Sequence, residues 1–197
     1  MPLSRRFLIA GLISLWVALA VVGSLLLQRY EATPGRTAAA PARWPMASRL
    51  AAPRDRPVLV VFAHPECSCS RATLAELAEI ASEAGAACDI TVVVDDDVPD
   101  PSSSELVVRA RAIPGVRIVI DRDHAEAARF GALTSGFTVL YRGDGRLAFA
   151  GGITDGRGQA GRSAGRAQIT ALLRGRHAAP ATPVFGCELG QAPEPQR

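Results

Sequence analysis

The stretch Val58-Leu-Val-Val-Phe-Ala-His-Pro-Glu-Cys-Ser-Cys-Ser70, running on into Arg71-Ala-Thr-Leu-Ala-Glu-Leu-Ala-Glu-Ile80, constrains this chain more than any other. Val58 to Ala63 is an apolar, β-branched run of strand length. His64-Pro65 breaks it, and two cysteines follow one residue apart. Beyond them Leu74, Leu77, Ala78 and Ile80 fall on one stripe of a helix. A strand that turns through cysteines into a helix puts thiols at the helix N-terminus. Unpaired N–H groups and a partial positive charge there favour the thiolate. The thiolate is the reactive form, and such positions hold it well below the free pKa of about 8.5.

The N-terminal part limits where this chemistry takes place. Phe7 to Leu27 is a run of 21 residues without a charge, enough to cross a bilayer core. Ser24-Leu-Leu-Leu27 is a poor cleavage site, so the run reads as an uncleaved anchor. Arg5 and Arg6 favour a cytoplasmic N-terminus. The body of the protein is then expected outside the cytoplasm, as a single-pass protein of a bacterial inner membrane with its C-terminal domain in the periplasm, where disulfides persist. The 22 basic residues against 19 acidic are all Arg, with no Lys or Asn in the chain, which points to coding bias. No basic run is interleaved with aromatics, so nucleic acid is not an expected partner.

The rest divides by composition. Residues 1–28 are the anchor, and 29–56, rich in Ala, Pro and Arg without apolar periodicity, read as a flexible tether. Residues 57–175 form the globular domain, and 176–197 a tail carrying Cys187. Within the domain, strands are expected over Val58–Ala63, Cys88–Val94 and Val116–Ile120, and over Phe137–Tyr141 and Leu147–Ala150 around the hairpin signal Asp144-Gly145. Helices are expected over Cys69–Ala84, from the capping box Ser102-Ser-Ser-Glu105 to Ala112, over Ala125–Phe130 capped by Asp121 or Asp123, and over Arg166–Leu173. Asp95-Asp-Asp97 reads as a solvated loop with a capping role rather than a cation site. The order β-α-β-α-β-α-β-β-α implies an α/β fold, a central mixed sheet flanked by helices.

That order, with cysteines at the end of the first strand, resembles the thioredoxin-like superfamily. Phe62 stands five residues before Cys67, as an aromatic does in thioredoxins. The features His64-Pro-x-Cys-x-Cys69, Thr134-Ser-Gly136, Gly151-Gly-Ile-Thr154 and Pro183-Val-Phe-Gly-Cys187 are similar, more narrowly, to anchored thiol–disulfide proteins often labelled RedB-like. The resemblance covers about Pro57 to Leu189. It implies a redox-active disulfide and protein or small-molecule thiols and disulfides as partners.

Two departures bear on the site. Register puts Cys67 at the first cysteine of the thioredoxin Cys-x-x-Cys and Ser70 at the second, leaving Cys69 between them. A Cys67–Cys69 disulfide closes a small strained ring, and strain favours its reduction. Cys67 is expected as the more exposed attacking thiolate and Cys69 as the resolving thiol. Where relatives carry a cis-proline that exposes backbone for a substrate chain, this sequence has Ser135-Gly136. Gly136 allows close backbone approach, so Ser135, Gly136 and His64 are the candidate substrate contacts. His64 is either a thiolate-stabilising imidazolium, a metal ligand or a plain turn residue. Cys187 is a further resolving thiol, a link to a partner or an idle tail thiol, and Cys88 a buried inert one. Gly156-Arg-Gly-Gln-Ala-Gly-Arg-Ser163 nearly spells a phosphate loop but has Arg162 at the lysine position. It reads as a loop near the cysteines that contacts a partner through Arg157 and Gln159.

The leading reading is a thiol–disulfide oxidoreductase without a cofactor. The alternative is a Cu(I)-holding module with Cys67, Cys69 and either His64 or Cys187 as ligands. A thiol peroxidase with Cys187 resolving ranks third, because the Thr-x-x-Cys pattern of peroxiredoxins is missing.

Overall fold

The computed structural model describes residues 3–190. They form two units, one ending at Thr33 and one starting at Pro34. The first is a single helix, α1 (Leu3–Ala32). Its segment Phe7–Ala32 has a mean hydropathy of 2.4, long and apolar enough to cross a membrane.

The second unit follows the expected order: β1 (Val58–Ala63), α2 (Ser68–Ala84), β2 (Asp89–Asp95), α3 (Glu105–Arg111), β3 (Val116–Asp121), α4 (Ala125–Phe130), β4 (Thr138–Tyr141), β5 (Leu147–Gly151) and α5 (Ala164–Leu173). The five strands lie in the order β3-β2-β1-β4-β5. β1 and β2 are parallel, as are β2 and β3, whereas β4 runs antiparallel to both β1 and β5. This is a thioredoxin-like mixed sheet. β1 is its centre, and all six of its residues are buried, which is why its sequence is a continuous apolar run rather than an alternating one. Leu59, Val61 and Ala63 face the layer built from Leu74, Leu77 and Ile80 of α2, Leu106 and Val107 of α3 and Ile169 of α5. Val58, Val60 and Phe62 face the opposite layer, with Ala127 and Phe130 of α4. The cap of α4 is Asp121, whose two oxygens accept the Glu126 and Ala127 amides at 2.8 Å each.

The supposed tether is not free. From Gly35 to Leu50 it is a strap laid over the second layer. Ala42 and Gly145 exchange bonds with Leu147 and Trp44 at 3.0 and 2.9 Å, and the Tyr141 hydroxyl donates to the Pro41 carbonyl at 2.8 Å. Ser48 and the Arg49 amide bind the buried Glu126 carboxylate at 2.6 and 3.0 Å. Trp44 meets Phe130 and Tyr141 edge-on, with centroids 5.1 and 5.3 Å away, and Leu50 is buried. An extended strap held by backbone bonds and two isolated anchors needs no apolar period, so its sequence looked like a linker. Residues 180–189 are likewise part of the domain. The Ala150 amide bonds the Pro180 carbonyl at 2.9 Å, and Val184 and Phe185 are buried.

The strap is testable. Trp44→Ala should cost about 2–3 kcal/mol in urea unfolding of the chain in mild detergent, below the about 3–5 kcal/mol of a fully buried aromatic because Trp44 is only half-buried. Met46→Ala, at a side chain 99% exposed, should change stability by less than about 0.5 kcal/mol. Equal, negligible effects at both positions would restore the flexible tether.

Candidate functional site

The site forms where β1 ends. Pro65 ends the strand, and the chain turns so that the Cys67 amide donates to the His64 carbonyl at 3.2 Å. The Ser70 hydroxyl accepts the His64 amide at 2.9 Å, which fixes the turn. Cys67 is the N-cap of α2, with extended backbone (φ −83°, ψ 124°). Its sulfur therefore lies where the helix presents unpaired amides and the positive end of its dipole. Cys69 sits within the first turn.

Two segments distant in sequence complete the site. Between α4 and β4, Ser135 donates its hydroxyl to the Cys67 sulfur at 3.3 Å. The same hydroxyl accepts the Cys187 amide at 3.0 Å, and the Ser135 amide donates to the Cys187 carbonyl at 2.8 Å. Thr134 and Glu188 form an antiparallel bridge alongside. The tail is thus paired with the backbone that flanks Cys67, and Cys187 is brought to the pair of cysteines.

Cys67 is the acceptor at the centre of this group. Hydrogen bonds from the Cys187 and Cys69 thiols, then from Ser135 and the Ser70 amide, hold its pKa far below the ordinary thiol range, against burial. Cys69 and Cys187 are pushed well above that range, first by donating to Cys67, then by burial and by the charge on Cys67. The arrangement is one thiolate between two thiols. Cys88, as expected, stands apart. Burial pushes it up to about 12.

Exposure reverses the expected assignment. Cys67 is 2% and Cys69 4% exposed, while Cys187 is the exposed thiol. The tail covers the turn, so the sulfur expected to be open is the one enclosed. Of the readings left open for His64, the structure shows a half-buried turn residue. Its Nε2 faces the Asp97 carboxylate at 3.7 Å, and its Nδ1 accepts the Glu66 amide at 3.2 Å. Among the described residues Cys67, Cys69 and His64 do not gather as one ligand set, and Cys187 is the further thiol beside Cys67. Gly136 (φ +86°) donates its amide to the Phe62 carbonyl at 2.7 Å. With the neighbouring Ser135 amide given to Cys187, this backbone is already paired rather than open to a ligand.

Several residues escaped sequence reasoning. Glu76, 2% exposed on α2, holds the Gly-rich loop after β5 by accepting the Gly161 amide and by pairing with Arg166 at 3.3 Å. That loop carries Arg157, which donates to the Gly186 carbonyl at 2.5 Å. The contact anticipated with an outside partner is made with the chain's own tail. An acidic residue on an apolar helix stripe was the available signal. Asp95 is not a solvated loop residue but 4% exposed, with the His124 Nδ1 2.7 Å away and the His124 Nε2 3.3 Å from Asp97. Burial, then Asp97, raises the Asp95 pKa, while His124, the Gly190 amide and His64 lower it.

No protein-family model and no curated protein match the chain. Among solved structures it is similar to a hypothetical protein from Sinorhizobium meliloti 1021, at 22% identity and a TM-score of 0.59 over 82% of this chain and 96% of that one. It is similar too to an uncharacterized conserved protein from Geobacillus kaustophilus, at 17% identity and a TM-score of 0.60 over 83% and 94%. A secreted Mycobacterium tuberculosis disulfide oxidoreductase aligns at 14% identity and a TM-score of 0.45 over 62% and 84%. These likenesses concern the fold.

The electrostatics predict a pH dependence. Because Cys67 has a folded pKa below its unfolded value of about 8.5, its thiolate stabilises the reduced protein fully above that value and loses its contribution as pH falls through the folded pKa. The stability gap between the reduced chain and Cys67→Ser should therefore widen as pH rises towards about 8.5 and then level off. One equivalent of far-ultraviolet thiolate absorbance near neutral pH should vanish in Cys67→Ser. Its survival there would refute the assignment.

Proposed function

We propose that the protein is a membrane-tethered thiol–disulfide oxidoreductase acting outside the cytoplasm, with Cys67 as its nucleophile. One observation carries the reading. The Cys67 sulfur, at the N-cap of α2, accepts from the Ser135 hydroxyl at 3.3 Å where the helix presents its unpaired amides. A structural cysteine has no need of such donors. A nucleophile does, because they keep it ionised at neutral pH. The reaction is exchange through a mixed disulfide. Cys67 attacks one sulfur of a partner disulfide, the partner's other sulfur leaves as thiolate, and a second thiol of this chain releases the first partner sulfur. A thiolate stabilised in this way stabilises the reduced form, so its disulfide is an oxidant. The apolar helix Phe7–Ala32 serves as anchor, and Arg5 and Arg6 favour a periplasmic domain. The narrower likeness to RedB-like anchored proteins accords with this.

A second reading is Cu(I) held by Cys67 with Cys69 or Cys187, favoured by the soft sulfur donors on either side of Cys67. Equilibration of the full chain with glutathione buffers, with and without Cu(I), separates the two. The oxidoreductase is expected to titrate as a two-electron couple above about −200 mV, and Cys67→Ser to abolish the exchange. Tight Cu(I) retention lost in Cys67→Ser, with no disulfide exchange in the intact chain, would establish the copper module instead.

A further inference from the structure

The tail is seated at the site as an extended segment on a backbone edge. An edge beside a reactive sulfur is where a cysteine-bearing peptide would add, by bonding its main chain to the unpaired N–H and C=O groups there. Here the chain does this to itself. The Ser135 amide and hydroxyl clamp the Cys187 peptide on both sides, at 2.8 and 3.0 Å. The Leu189 amide bonds the Leu133 carbonyl at 3.1 Å, and the Gly35 amide the Val184 carbonyl at 2.8 Å. Arg157 secures the Gly186 carbonyl. The fit is close enough that a Cβ on Gly186 would lie 1.9 Å from the Ser135 carbonyl oxygen. Only glycine allows this seat.

We propose that residues 183–189 are a captive substrate strand, and that the working disulfide joins Cys67 to Cys187 rather than to Cys69. The proposal rests on the oxidoreductase reading and assigns its second thiol. Cys69 lies inside the first turn of α2, so bonding it to the N-cap two residues away distorts that turn, because residues at this spacing do not face each other on a helix. Cys187 comes from outside the helix, and its amide bonds the same Ser135 hydroxyl that donates to the Cys67 sulfur. It is also the exposed member of the group. An outside dithiol therefore meets the oxidised pair at the Cys187 sulfur. Its thiolate bonds to Cys187 as the Cys67–Cys187 bond breaks, and Cys67 leaves as the thiolate its neighbours stabilise, the faster leaving group by virtue of its low pKa. The dithiol's second sulfur, as thiolate, then attacks the first, closing a partner disulfide, and the Cys187 thiolate released takes up a proton. Two electrons pass from the dithiol to the Cys67–Cys187 bond, which is reloaded when Cys67 attacks one sulfur of a partner disulfide, the other partner sulfur leaves as thiolate, and Cys187 attacks Cys67 to release the first. The partners this admits need reach only one exposed sulfur. Those that must add a strand beside Ser135 are excluded.

The full chain in detergent micelles, oxidised with excess small-molecule disulfide, alkylated and digested, gives a direct test. A Cys67–Cys187 cross-linked peptide with Cys69 alkylated is expected. A Cys67–Cys69 peptide with Cys187 alkylated overturns the inference and leaves the oxidoreductase reading standing. Failure of Cys67 to form any disulfide overturns the reading itself. In reduced Gly186→Ala, checked for an unchanged near-ultraviolet spectrum, Cys67 alkylation should accelerate by at least about tenfold as the tail is displaced, and the yield of Cys67–Cys187 should fall. An unaltered rate and yield would show that the tail does not guard Cys67.

Discussion

A buried anion must be given hydrogen bonds or it will not stay an anion, and the organisation around Cys67 follows from that requirement. The sulfur is nearly enclosed, so water supplies none of its donors. They come from the start of α2, from the turn before β4 and from the far end of the chain. Ser135 connects these sources, because its hydroxyl accepts from Cys187 while donating to Cys67. Removing any one segment would leave the charge less compensated. The three are drawn together by the same electrostatic demand.

This makes the termini of the domain as structural as its sheet. The strap and the tail meet each other through Gly35 and Val184, and each reaches the turn before β4, the strap through the Arg36 carbonyl and Thr134 at 2.6 Å. The helix that carries the cysteines also carries Glu76, which holds the Gly-rich loop, which in turn holds the tail through Arg157. Position is passed from α2 outward through loop and tail and back to the sulfur in front of α2.

The framework was legible because it is periodic. β1 and the stripe on α2 declare themselves through apolar spacing, and α4 and α3 through the capping chemistry of Asp121 and of the run Ser102-Ser-Ser-Glu105, of which Ser104 is the cap. The pair Cys67 and Cys69 was legible from its place between them. The strap and the tail were not, since their backbones bond across long separations and repeat no pattern. Trp44 and the run Pro183-Val-Phe-Gly186 were their only local marks. Exposure at the site was read the wrong way round for the same reason. Nothing local to His64–Ser70 says that residues over a hundred positions later lie on top. His64 and His124 have short polar neighbours in space, Asp95 and Asp97, that only the sheet brings within reach.

The pairing of residues 180–183 with β5 has one more consequence. β5 is a marginal strand, and an uncovered margin invites another chain to bond there. The Pro180 and Pro183 carbonyls occupy it by accepting from Ala150 and Gly152, and the two prolines can donate nothing outward in return. Val184 and Phe185, both buried, then pin the segment before it reaches Cys187. Motion that uncovers Cys67 can thus be confined to the few residues past Phe185, while the covered margin stays shut. The chain can open its reactive centre without becoming adhesive.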